Sequence, residues 1–144
     1  MRQNVDALAG QFRKPVVIAK TQYPWTLANG NSALGDSTGD LVWQSSQLSP
    51  GYRASPGGQL SFVTDELSII AQVSGGLGAG LFHWAPEWIP GVGWEPGAGV
   101  GSQNVNLTLF SLRGVVLPSI GMFGNPAAVC QVYDPDQVPC VIGG

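Results

Sequence analysis

The sequence predicts an α/β fold, a portion of a parallel sheet with crossover helices of the kind that closes into a (β/α)8 TIM barrel. Three observations predict it. Pro15-Val16-Val17-Ile18-Ala19 is a short, continuous, β-branched run bounded by Pro, the pattern of a strand buried on both faces of a parallel sheet. Leu77 to His83 reads as a second buried strand, and an amphipathic helix lies between the two, so the order is strand, crossover helix, strand. Both runs end in clusters of aromatic and polar side chains, as the strands of a barrel do on its functional face.

Residues 2–12 read as a short helix, because Val5, Leu8, Ala9 and Phe12 recur at helical spacing before Arg13-Lys14-Pro15 breaks the pattern. The first strand follows at 15–19, with Lys20 abutting its C-terminal end. Residues 21–55 form a long polar segment carrying Tyr23, Trp25, Trp43 and Tyr52; four large aromatics argue for an ordered, functional loop. Trp43 reads as a packing residue. Ser55-Pro56 is an N-cap Ser followed by Pro at the first helical position. Leu60, Val63, Leu67 and Ile70 then form an apolar stripe, with Gln59, Asp65 and Glu66 read as lying off it.

The second strand, 77–83, carries Gly78 and Gly80, which permit close backbone approach. It runs into His83-Trp84-Ala85-Pro86-Glu87-Trp88. A Gly-rich loop at 89–105 carries Trp94 and Glu95. Residues 107–117 read as an extended pair turned at Arg113-Gly114, and 118–123 as a helical turn or two. Asn106-Leu107-Thr108 matches a glycosylation sequon at the rate chance allows. Eight β/α units need about 250 residues, and two are countable here, so the expectation is the C-terminal part of a larger barrel.

Composition excludes several functions. The chain has 144 residues, 21 Gly, 11 Pro and only 10 % charged residues, yet 44 % hydrophobic ones, so it is loop-rich but not disordered. Six basic against nine acidic residues, net charge −3, argue against a nucleic-acid partner. One His and two Cys cannot make a four-ligand structural zinc site. No apolar run is long enough to span a membrane, and Met1-Arg2-Gln3-Asn4 lacks the apolar core of a signal peptide.

The two strand ends carry a family pattern. Pro15-Val16-Val17-Ile18-Ala19-Lys20-Thr21-Gln22-Tyr23-Pro24-Trp25-Thr26 resembles the seventh-strand motif of the endo-β-1,4-galactanases of glycoside hydrolase family 53, and Leu81-Phe82-His83-Trp84-Ala85-Pro86-Glu87-Trp88-Ile89-Pro90 the eighth. Gly57-Gly58-Gln59 to Leu67 resembles the helix between them, and Leu109-Phe110, Gly114 and Leu117-Pro118-Ser119 the closing segment. The resemblance covers residues 1–123 and leaves 124–144 as a Cys-containing tail. It implies strands seven and eight of a TIM barrel and a secreted, retaining glycosidase that cuts internal β-1,4-galactosyl links of type I arabinogalactan in pectin. Retention needs two carboxyl groups about 5 Å apart, an acid/base and a nucleophile. The family's nucleophile is the Glu followed by Thr-x-Tyr-Pro, and in this sequence that position is Lys20. The acid/base Glu belongs to strand four. An ammonium cannot form the glycosyl-ester intermediate and opposes the positive charge developing on the sugar. The implied parent is therefore a hydrolase, and this chain alone is expected to be inactive; the alternative is a galactan-binding or degenerate remnant.

The expected substrate-binding residues are Tyr23, Trp25, His83, Trp84, Trp88 and Trp94. Indoles stack on the C–H faces of pyranoses but also pack well under loops, and Trp84, directly at a strand end, carries the stronger expectation. His83 is placed to hydrogen-bond a sugar hydroxyl or a catalytic carboxylate, although a lone His is as often structural. Glu87 reads as a solvated loop carboxylate. The expected partners are β-1,4-galactan and the N-terminal units of the barrel. No cofactor is required. The oxygen-rich cluster Asn29, Asn31 and Asp36 offers calcium a weak site, short of carboxylates. Cys130 and Cys140 form a small disulfide loop if the chain is exported and remain free thiols if it is cytosolic.

Overall fold

The computed structural model describes residues 1–34, 38–89 and 102–124. The expectations for Asp36, Trp94, Glu95, Cys130 and Cys140 lie outside these residues.

The chain opens with helix α1 (Arg2–Phe12), closed by Arg13 in the left-handed region at φ 51°, whose N–H donates to the Ala9 carbonyl at 2.8 Å. Of the four apolar residues read as one stripe, only Val5 and Ala9 are buried, while Leu8 and Phe12 are exposed. Val5 and Ala9 are spaced four apart and share one face. Leu8 and Phe12, also four apart, occupy another, which the described residues leave uncovered.

Strand β1 (Val16–Thr21) pairs in parallel with β2 (Gly78–His83), in the register Val16↔Gly78, Ile18↔Leu81 and Thr21↔His83. The connection between them is helix α2 (Pro56–Ala71). The expectation that β1 is buried on both faces is corrected by the structure. Val16, Ile18 and Leu77 pack on a core of Val5, Ala9, Ile70 and Val73. Val17, Ala19 and Lys20 are exposed, as are Ala79 and Phe82 on β2. The helices cover one side of this pair, and a continuous apolar run cannot by itself report how many sides are covered.

Helix α2 begins as its sequence dictates. The Ser55 hydroxyl accepts the Gly58 N–H at 3.0 Å, and Pro56 sits where no N–H is needed. Leu60 and Val63 pack on Met122 of the short 3-10 turn Pro118–Phe123. Gln59 and Glu66, read as lying off the stripe, are buried. They lie seven apart and interleave with Val63 and Ile70, so they share the buried face.

The long segment after β1 is ordered by two 3-10 turns, Asn31–Leu34 and Ser45–Gln47, and by an aromatic cluster. Tyr23 stacks on Phe62 at 4.3 Å, and Tyr52 meets both rings edge-on. Trp43, read as a packing residue, is 61 % exposed. The predicted pair over 107–117 reduces to one antiparallel bridge, Phe110↔Val116, around Gly114 at φ 74°. Asn106 is buried and its amide donates to the carbonyls of Thr26 (3.0 Å) and Val42 (2.6 Å), so the sequon is closed to modification in the folded chain. No described helix is long and apolar enough to cross a membrane.

Candidate functional site at the strand ends

Parallel pairing brings the C-terminal ends of β1 and β2 side by side, and with them the chemistry that the sequence separates by some sixty positions. The Trp84 N–H donates to the Thr21 carbonyl at 2.8 Å, extending the pair by one bond. That bond sets Trp84 beside Lys20, whose Nζ lies 4.6 Å from the indole centroid, a cation–π distance. Trp84 is 44 % exposed. The chain then turns at Ala85, a non-glycine residue at φ 50°, and this left-handed turn returns Trp88 to Trp84, with ring centroids 5.9 Å apart and planes 62° apart. Lys20, Trp84 and Trp88 thus form one continuous surface. Glu87, between the two indoles in sequence, is exposed.

His83 ends β2 opposite Thr21. Its Nδ1 lies 3.1 Å from the Trp84 carbonyl, which can only accept, so Nδ1 carries the proton and Nε2 is a bare acceptor. Nε2 is buried without a partner among the described residues, and Phe123 meets the ring edge-on. Burial pushes the imidazole down to about 4, the Trp84 carbonyl offsetting only part, so the ring is neutral at pH 7.

Tyr23, expected on the sugar-binding surface, is only 4 % exposed and its hydroxyl donates to the Tyr52 carbonyl at 3.2 Å. Its ring is spent on Phe62, so the expectation of a sugar-facing Tyr23 is corrected to a packing role. Trp25 is half-buried; its backbone N–H donates to the Asn106 carbonyl at 3.0 Å, and its Nε1 has no partner among the described residues. Glu66 is the site residue that sequence reasoning missed. Its carboxylate accepts the Thr21 hydroxyl directly behind Lys20, and burial raises its pKa. The signal was its seven-residue spacing from Gln59, hidden because both are polar.

A second polar locus lies in the loop after β1. Asn29 Oδ1 accepts the Asn31 N–H at 2.9 Å, and the Asn31 amide donates to the carbonyls of Thr38 (3.2 Å) and Ser102 (2.9 Å). These amides therefore spend their donors on the loop. Two buried acceptors lie close in sequence: Asn31 Oδ1 has no hydrogen-bond partner among the described residues, and the Asp40 carboxylate is approached by the Gly30 backbone N–H without a well-formed bond. Desolvation pushes Asp40 up to about 6 from 3.8, the Gly30 amide drawing it back only in part. Because the folded state holds this proton more tightly than the unfolded one, the stability it contributes is full below about pH 4 and is lost as pH rises through about 6. In urea titrations with a chelator, Asp40→Asn is expected to match the parent at pH 4 and exceed it by about 2 kcal/mol at pH 7. A constant difference across that range excludes a desolvated Asp40 as the cause.

Comparison with known proteins places this geometry. The family model of glycosyl hydrolase family 53 matches residues 1–123. A Niallia circulans protein, described as an uncharacterized protein in the bgaB 5′ region, is 39 % identical over 122 residues, covering 83 % of this chain and 31 % of its own length. An endo-beta-1,4-galactanase of Bacillus subtilis is 30 % identical over 148 residues, covering 83 % and 33 %. Among solved structures, the GH53 catalytic domain of Ignisphaera aggregans superposes with a TM-score of 0.71 at 31 % identity, over 85 % of this chain and 33 % of that one. These catalytic domains are TIM barrels. The chain spans about a third of the length of the relatives it matches.

Proposed function

Because the chain belongs to glycosyl hydrolase family 53, we propose that it is the strand-seven and strand-eight portion of an endo-β-1,4-galactanase barrel and contributes the aromatic rim over which galactan lies. On this reading β1 is strand seven and β2 strand eight, residues 1–123 belong to the barrel, and residues 124–144 form a tail. The remaining β/α units are its structural partner, and the setting is extracellular, where pectic galactan is met. The observation that carries the reading is Lys20 stacked on Trp84 at the shared C-terminal end of two parallel strands, the end at which TIM-barrel enzymes do their chemistry.

Lys20 is followed by Thr21-Gln22-Tyr23-Pro24, so it occupies the position of the nucleophilic carboxylate. In a retaining cycle one carboxylic acid protonates the leaving oxygen, the nucleophile attacks the anomeric carbon, and water then cleaves the ester. An ammonium held on an indole supplies no lone pair for that attack. The 144-residue chain is therefore a galactan-recognising element without hydrolytic activity of its own, and Trp84 and Trp88 are its sugar-stacking residues.

The test joins this chain to the upstream units of a family member and compares Lys20 with Lys20→Glu by release of reducing ends from β-1,4-galactan. The Glu form is expected to exceed the Lys form by up to roughly a millionfold, the scale of losing a nucleophile. Equal release by both overturns the assignment of position 20. Silence from both, with galactan retained, favours the purely binding reading, for which the exposed Trp84 is the supporting observation.

Asn31 Oδ1 and the weakly partnered Asp40 carboxylate offer oxygen ligands of the kind calcium takes. Bound there, it would supply the counter-charge that the desolvated Asp40 carboxylate lacks and tie the loop down, with no part in bond cleavage. Added calcium is then expected to raise the thermal midpoint of the parent chain and leave Asp40→Asn unmoved; an equal rise in both excludes Asp40 as a ligand.

A further inference from the structure

We infer that the Lys20–Trp84–Trp88 surface prefers an acidic saccharide, a pyranose carrying a carboxylate, over a neutral one; the inference rests on reading this rim as a saccharide surface. Lys20 is exposed, and among the described residues no carboxylate lies within ion-pair distance of it. The carboxylate beside its strand end, Glu66, is buried and engaged by Thr21. Asp65 accepts the Tyr52 hydroxyl at 2.6 Å. Glu87, exposed between the two indoles in sequence, makes no ion pair with Lys20, so among the described residues the partner the ammonium has is an aromatic face.

That contact gives two sugars opposite fates. A neutral pyranose stacking on the capped face of Trp84 must displace the ammonium and lose the cation–π contact. A uronate keeps the ammonium in place, because a Lys bound through one side still has N–H donors for a carboxylate. The indole also removes part of the conformational freedom of the long side chain in advance, which lowers the cost of ordering it on binding. Trp88, set edge-on to Trp84, offers the sugar ring a second apolar wall. A carboxylate in place of Lys20 would repel such a ligand, so the substitution that removes the nucleophile also inverts the charge preference of the surface.

The experiment titrates the full chain with a galacturonate trimer and with β-1,4-galactotriose, read by tryptophan fluorescence. At about 20 mM salt the uronate is expected to bind roughly fivefold more tightly, and at about 200 mM the gap is expected to fall below about twofold, as an exposed ion pair requires. Lys20→Gln is expected to weaken uronate binding and strengthen galactotriose binding, moving the two in opposite directions. Lys20→Arg is expected to keep the uronate preference, and Trp84→Ala to lose both ligands. Equal or tighter binding of galactotriose by the parent overturns the inference while the galactan reading stands. Uronate binding with no galactotriose binding upholds the inference and overturns galactan as the ligand. Binding of neither overturns both, provided the amide spectrum shows a folded chain.

Discussion

Replacing Gly78 by alanine is expected to cost more than about 3 kcal/mol of stability, enough to unfold a domain of this size near body temperature. Gly78 opens β2 directly under the last turn of α2. A Cβ there would lie 2.7 Å from the Ile70 carbonyl carbon, closer still to its oxygen, and 3.2 Å from the Ile70 side chain. Those obstacles are mainly backbone, so no rotamer change relieves them. To admit the methyl group, α2 must lift off β2, and Ile70 and Val73 leave the core they share with Val5 and Ala9. Lifting also misaligns Gly78 with Val16 and shears the strand pair that sets Lys20 beside Trp84. Gly10→Ala is the control: its Cβ meets nothing within 4 Å on an exposed helix position, and it is expected to gain about 0.5–1 kcal/mol. Urea denaturation of the three chains decides the matter, and a Gly78→Ala chain within about 1 kcal/mol of the parent refutes the close approach of α2 to β2.

Replacing Gln59 by leucine is expected to cost about 3 kcal/mol and lower the thermal midpoint by roughly 10 °C. Gln59 is fully buried, and its amide joins three segments, those of Tyr23, Thr108 and Ser119. Its Nε2 donates to the carbonyls of Tyr23 and Thr108, both at 2.9 Å, and its Oε1 accepts the Ser119 hydroxyl. Leucine matches its size but leaves two carbonyls and a hydroxyl buried without partners. Ser119→Ala removes one of these bonds and is expected to cost about 1 kcal/mol. If the two variants cost the same, the carbonyls of Tyr23 and Thr108 are solvated in the native state and the three-way junction is wrong. Because Tyr23 follows the strand end by two residues, loosening this junction is also expected to weaken saccharide binding at Trp84.

Much of this protein was determined locally. The Ser55-Pro56 start of α2, the β-branched run of β1, the second short apolar run and their parallel order follow from capping, φ restriction and crossover rules. The strand-end motifs that mark Lys20 and Trp84 are contiguous in sequence, and the resemblance they carry spans the same 1–123 that the family match covers. What only the tertiary structure decided concerns polar and aromatic side chains, whose place depends on partners far along the chain. Gln59 and Glu66 are buried because Tyr23, Thr108, Ser119 and Thr21 satisfy them, and hydrophobic periodicity has no symbol for a satisfied polar residue. Tyr23 is spent on packing because Tyr52 and Phe62 converge on it, whereas Trp43 meets no such cluster among the described residues and stays exposed. The contact of Lys20 with Trp84 required register: residues 64 positions apart meet only when two parallel strands end level, and an alignment of strands over that distance is set by the packing of the helix between them.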